Sequence, residues 1–173
     1  VVQVAADMRL EFYCNDKVQL WVDDEDLTDQ LYTEACGRVA SKLAALPEVR
    51  QTLLKKQRAF KQPPGLVADG RDMGTVVFPD APYKVFLDAS LEERAGRRFL
   101  QLKAQGLDVT LDQIIKDLEQ RDRRDRERKD APLVPAEDAV IIDSSQLSVE
   151  EVTEKILALL PDDLAGQCGA ADS

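Results

Sequence analysis

From residue 65 onward the chain alternates short apolar runs with long, capped helical patterns, and that alternation constrains the fold more than any other feature of the sequence. Leu66-Val67-Ala68, Tyr83 to Leu87 and Ala139 to Ile142 are too short for helices and read as strands. Ser90-Leu91-Glu92-Glu93 reads as a capping box opening a helix through about Gln105, where Gly106 stops it. Thr110-Leu111-Asp112-Gln113 opens a second helix to about Lys129, and Ser148-Val149-Glu150-Glu151 a third ending near Leu160. Strands separated by helices of this length are joined by crossovers, not hairpins, so the expectation is an α/β fold with a parallel sheet.

The first 60 residues follow a different pattern. Met8 to Tyr13 and Val18 to Val22 are β-rich, with Cys14-Asn15-Asp16-Lys17 between them, so a short hairpin is expected that Asp23-Asp24-Glu25-Asp26 ends. Apolar and small residues then recur at helical spacing from Thr33 to Leu46. Pro47 is placed to open a second helix to about Phe60, since a first-turn residue needs no donor N–H. The reading divides the chain into a small α+β region over 1–60, an α/β core over 61–160 and a frayed tail over 161–173.

Composition closes several functional routes. With 173 residues, 44% of them hydrophobic, the chain can bury a core of ordinary domain size. It has no histidine, which excludes Ser/His/Asp and Cys/His nucleophile systems and imidazole metal sites. Cys14, Cys36 and Cys168 make no Cys-x-x-Cys pair, so neither a zinc site nor a disulfide framework is expected and a reducing cytoplasm fits best. No run approaches the roughly 18 apolar residues of a membrane span, and Val1-Val2-Gln3-Val4 has no basic leader. A start on Val rather than Met, leading at once into an apolar and acidic stretch, reads as the interior of a longer protein. The net charge of −10 argues against nucleic acid or an anionic membrane as partner. That charge is uneven: residues 1–30 carry −6 and residues 150–173 carry −5, leaving +1 for the middle, where an anionic ligand is best accommodated.

Three elements of the middle segment carry candidate chemistry. Asp69-Gly70-Arg71-Asp72-Met73-Gly74 follows a short strand, and its two glycines offer a tight turn at a strand's carboxyl end, where open α/β sheets bind ligands. The same residues also suit an ordinary β-turn with a surface ion pair. In the run from Arg121 to Arg128, Arg121, Asp125 and Arg128 share one helical face. Guanidiniums fork onto phosphate oxygens and a carboxylate accepts from hydroxyls, so this face suits a phosphorylated sugar; a solvated, ion-paired helix uses the same pattern. Arg94, Arg97 and Arg98 stack on another helix, either to stabilise charge on a transferring phosphoryl group or as solvated cations. A Walker A loop needs Gly-Lys, and none of the eight glycines precedes a lysine.

Taken together, Gly65-Leu66-Val67-Ala68-Asp69-Gly70-Arg71-Asp72-Met73-Gly74-Thr75, Phe86-Leu87-Asp88-Ala89-Ser90 with Glu93-Arg94 and Arg97-Arg98, and Arg121 to Arg128 with Ala131-Pro132-Leu133 resemble the bacterial cytidylate kinases. The likeness runs from the hairpin to Leu160 and keeps three signatures in the family's order and spacing. It implies part of a P-loop nucleoside monophosphate kinase fold, with residues up to about Phe60 as a small α+β CMP-binding insert. It also implies transfer of the γ-phosphoryl of ATP, as its magnesium complex, to CMP or dCMP, with no obligate protein partner. By that resemblance Ser41, Arg50 and Asp72 read the cytosine, Arg121 and Asp125 lie around the sugar, and Arg71 and Arg128 hold the CMP phosphate. Arg97 and Arg98 match the lid over ATP, and Asp69 matches the acid facing the nucleotide phosphates and magnesium, an indirect metal contact.

The departure is at the front. The family's opening strand, its P-loop with the phosphate-gripping lysine, its first helix and the following Asp-Ser-Gly-x-x-Tyr-Arg segment have no counterpart among these residues. Loss of such a clamp removes much of the electrostatic stabilisation of phosphoryl transfer, and loss of a central strand exposes apolar faces of its neighbours. Three readings follow: a cytidylate kinase represented without its front and inactive as it stands; a CMP-binding module that performs no transfer or takes its P-loop from a partner; or an unrelated acidic α/β interaction protein with solvated arginines.

Overall fold

The computed structural model describes residues 1–14, 18–31 and 33–161 and divides into two compact units. The turn expected over 15–17 and nearly all of the expected tail lie outside the described residues.

The first unit comprises Val1–Asp69 with Arg128–Asp130. Helix α1 (Val2–Asp7) precedes an antiparallel sheet of β1 (Leu10–Cys14), β2 (Val18–Val22) and β3 (Glu25–Asp26). The register sets Leu10 opposite Val22 and Phe12 opposite Leu20, so alternation gathers these four on one face. The acidic run does not end the hairpin. Asp23 and Asp24 take left-handed backbone (φ 50° and 69°), a conformation Asp tolerates better than most residues, and the turn they make returns Glu25–Asp26 as a third strand. Asp23 fixes that turn by accepting from the Arg9 N–H at 2.7 Å.

Helix α2 (Thr28–Leu31) leads to α3 (Glu34–Leu43), capped by the Thr33 hydroxyl, and α4 (Pro47–Ala59), with Pro47 in its first turn. The helix expected from Thr33 to Leu46 therefore stops early, in a turn before Pro47, because the residue before a proline disfavours helical backbone. Phe60 meets Phe12 edge-to-face at 5.2 Å and joins the end of α4 to the apolar face of the sheet. Leu66-Val67-Ala68 is not a strand: it pairs with no described strand and Val67 is 96% exposed. A strand exists by its ladder, and three β-prone residues without a neighbour do not make one.

The second unit comprises Gly70–Glu127 and Ala131–Ser173, described as far as residue 161. Strands β4 (Val85–Asp88) and β5 (Val140–Asp143) pair in parallel, Val85 opposite Val140 and Asp88 opposite Asp143. Leu87 and Ile141 are both exposed. Helices α5 (Leu91–Ala104), α6 (Leu111–Glu127) and α7 (Val149–Leu157) complete the unit. Ser148 and Glu151 form the full reciprocal capping box. The box expected at Ser90 is half made: Ser90 Oγ accepts from the Glu93 N–H, but the Glu93 carboxylate takes Arg97 instead. The Ser90 N–H is satisfied by Ser145 Oγ at 2.9 Å. Gly106 ends α5 in left-handed backbone (φ 77°), open to glycine at no steric cost. Gly70 and Gly74 do not use that freedom; the segment after Asp72 winds into a π-helical turn over Met73–Val77, with the Val77 N–H reaching Asp72 O at 3.1 Å.

The core of this unit lies between α5 and α6: Ala95, Leu102 and Ile114 are buried, with Phe99, Val109, Ile115 and Leu118 packed around them. Leu102→Ala is expected to cost about 2–5 kcal/mol, read from denaturant unfolding. A loss within experimental error would mean that this contact is not the unit's core. Lys84 donates to Pro79 O and to both Asp138 oxygens, at 2.8 and 2.7 Å, and its hydrogen bond holds the Asp138 carboxyl below the usual aspartate range. A carboxyl depressed in the folded state adds stability above its unfolded pKa and loses it as pH falls through the folded one. Asp138→Asn is therefore expected to flatten the acid limb of melting temperature against pH; an unaltered acid limb refutes this.

Candidate active site

In the second unit the candidate residues gather around one buried carboxylate. Asp125, on α6, is 5% exposed. Its Oδ2 lies 3.1 Å from Arg71 Nε and 3.9 Å from Arg121 Nε, one helical turn earlier on α6. Neither cation aims a directed hydrogen bond at that oxygen, so the cluster is held by charge, and a carboxylate this buried requires such company. Asp72 is also buried, and its carbonyl accepts from the Val76 and Val77 N–H groups and from the Thr75 hydroxyl at the start of the π-helical turn. The loop and the arginine-rich helix, separate in sequence, thus meet at Arg71 and Asp125.

Arg128 lies just past the end of the arginine-rich helix. Helix α6 ends at Glu127, two residues before the expected end, because the chain doubles back so that the Leu133 N–H bonds Asp125 O at 2.8 Å, with Ala131 in left-handed backbone (φ 51°). Arg128 is thus the first residue past α6. It is half-buried and groups with the first unit.

The arginines of α5 diverge. Arg97 donates through Nε to Glu93 and through its two terminal nitrogens to the hydroxyl and carbonyl of Ser144, at 3.3 and 2.5 Å. Ser144, 3% exposed, itself bonds Asp88 O through both N–H and hydroxyl, so Arg97 is fastened where β4 and β5 end. Arg98 reaches Gln101 on its own helix at 2.6 Å. Arg94 donates to both oxygens of Asp122 on α6, at 3.2 and 2.7 Å, and to Ala89 O at 3.1 Å. The shared cationic stack expected on this helix is thus distributed among separate partners. Asp143, at the end of β5, accepts from Ser145 hydroxyl and N–H, and those bonds lower its pKa.

In the first unit, Ser41 lies on α3 and Arg50 in the first turn of α4. Arg50 Nη1 donates to Ala44 O at the end of α3 at 3.2 Å, and Ser41 lies one turn before Ala44. Ser41 Oγ is shielded from solvent and makes no hydrogen bond within the protein. Asp69 is exposed, and among the described residues no group of three or more carboxylates or thiols could hold a metal. Magnesium arriving on nucleotide phosphates needs only one or two carboxylates, so Asp69 suits an outer contact and nothing more.

Sequence reasoning missed Ser144 and the Arg94–Asp122 pair. Both depend on contacts between distant elements; the only signal was an arginine three residues before Arg97 and an aspartate inside the basic run.

The family model for cytidylate kinase matches residues 1–162. The chain belongs to the cytidylate kinase family. The cytidylate kinase of Methylococcus capsulatus is 58% identical over 157 residues, covering 91% of this chain and 71% of the relative. Those of Yersinia enterocolitica (50% over 159 residues) and Serratia proteamaculans (49% over 166) cover 91% and 95% of this chain, and 69% and 72% of their own lengths. Membership makes this a kinase-family chain of the transferase class, and its mixed α/β structure with a small parallel sheet is consistent with part of a nucleoside monophosphate kinase fold. Among the described residues no helix is long and apolar enough to cross a membrane.

Proposed function

We propose that these residues form the acceptor side of a CMP or dCMP kinase, which takes the γ-phosphoryl of magnesium ATP. The Arg71–Asp125–Arg121 cluster carries the reading: a buried carboxylate flanked by two guanidiniums suits a ribose phosphate. Arg71 and Arg128 hold the CMP phosphate, Arg121 and Asp125 the sugar, and Ser41, Arg50 and Asp72 the base. Arg97 and Arg98 serve the ATP side, and Asp69 the magnesium indirectly. Residues 1–60 act as the CMP-binding insert and 61–160 as the core, in a cytoplasmic enzyme that needs no obligate protein partner.

Because no Gly-Lys occurs in the 173 residues, we further propose that they bind CMP without transferring phosphoryl by themselves. The same observation favours a second reading, a CMP-binding module that performs no transfer or takes its P-loop from a partner.

Calorimetry with CMP and AMP tests the base assignment. Each buried polar group left unpaired costs about 1–3 kcal/mol, so CMP is expected to bind at least about tenfold more tightly than AMP. Equal affinities, or no binding of CMP, would overturn the proposal.

A further inference from the structure

The two halves of α6 are held in different ways. Its first half contributes Ile114, Ile115 and Leu118 to the core against α5. From residue 119 the helix reads Glu-Gln-Arg-Asp-Arg-Arg-Asp-Arg-Glu, with no apolar side chain left to bury. Yet this second half carries Arg121 and Asp125. Hydrophobic packing, which fixes most protein helices, cannot fix this part.

The Arg94–Asp122 pair reaches it. The pair is bidentate, at 3.2 and 2.7 Å, and both side chains are largely shielded from solvent, 31% and 18% exposed. Arg94 is itself held on two sides: it follows α5's first turn beside the fully buried Ala95, and its Nε donates to Ala89 O just past the carboxyl end of β4. The rigid guanidinium fork thus spans a strand end, α5 and the polar half of α6, a geometry the single nitrogen of lysine cannot copy. Asp122 precedes Asp125 by three residues, so fixing one sets the rotation of the other.

We propose that Arg94 and Asp122 are positioning residues, which hold the polar half of α6 so that Arg121 and Asp125 are set before CMP arrives. The consequence for CMP rests on the function proposed above; the holding of the helix does not. Hydrogen exchange and CMP calorimetry on the full chain test the two separately, using Asp122→Asn and Arg94→Lys, with Leu102→Ala as a packing control at the same helix pair.

In Asp122→Asn the amides of 119–127 are expected to exchange about tenfold faster while those of 111–118 keep their protection, and CMP affinity to fall about tenfold. Arg94→Lys should fall between wild type and Asp122→Asn. Leu102→Ala should speed exchange at 111–118, where α6 packs on the core, while exchange at 119–127 and CMP affinity each change less than about twofold. Unchanged exchange at 119–127 in Asp122→Asn overturns the proposal, whatever happens to affinity, since a loss of affinity alone would make Asp122 a ligand. Faster exchange with unchanged CMP affinity also overturns it, because the held helix would not set the site. If wild type binds no CMP, the functional reading fails, and the exchange result alone decides whether the pair holds the helix.

Discussion

Arg71→Ala is expected to weaken CMP binding about ten- to a hundredfold, while Arg123→Ala leaves it within about twofold. Arg71 Nε lies 3.1 Å from the buried Asp125 carboxylate, whereas Arg123 is exposed on α6. Removing Arg71 deletes a proposed phosphate ligand and also takes from the buried Asp125 carboxylate a guanidinium 3.1 Å away, with Arg121 at 3.9 Å. The second effect lowers stability, so a loss of binding by itself would be ambiguous. The double variant Arg71→Ala/Asp125→Asn separates them. Neutralising the stranded carboxylate should return much of the lost thermal stability but none of the CMP affinity. Equal losses of affinity in Arg71→Ala and Arg123→Ala would show that the buried cluster is not the phosphate site.

The parts of the fold written in local chemistry were legible. Pro47 at a helix start, Ser148 with Glu151, and Gly106 at a helix end each act within a few residues, and each does in the structure what its type predicts. Readings that needed a distant partner fared worse. Leu66-Val67-Ala68 has strand composition but no described neighbour, and the Ser90 N–H that Glu93 was expected to cap goes instead to Ser145, beyond β5. Asp23 and Asp24 looked like a terminator, but their tolerance of left-handed backbone makes a turn and adds a strand.

The site shows the same division. Helical spacing placed Arg121 and Asp125 on one face, and the structure keeps them 3.9 Å apart. Spacing could not show that Arg71 joins them from a loop some fifty residues away by sequence, nor that Asp122 within the same run faces Arg94. A run of alternating arginine and aspartate looks uniform along the chain. Burial separates its members: Asp125 and Asp122 are shielded and paired across elements, while Arg123, Arg124 and Arg126 remain exposed.

The 173 residues by themselves are expected to bind CMP yet to release ADP from ATP and CMP no faster than background, and fusion to a P-loop segment of the kind the family carries should raise turnover about a thousandfold or more. Acceptor binding places one reactant, but the barrier is lowered by donors aimed at the charge that develops on the transferring phosphoryl group. Arg97, a proposed lid residue, is committed to Glu93 and Ser144, and Arg98 to Gln101, so neither guanidinium replaces a backbone cradle and its lysine. A coupled assay of ADP release, run on the chain and the fusion side by side, reads both outcomes. Turnover by the 173 residues near that of the fusion would mean that their arginines hold the β/γ-phosphates unaided, and the proposed division between acceptor site and phosphoryl clamp would then be wrong.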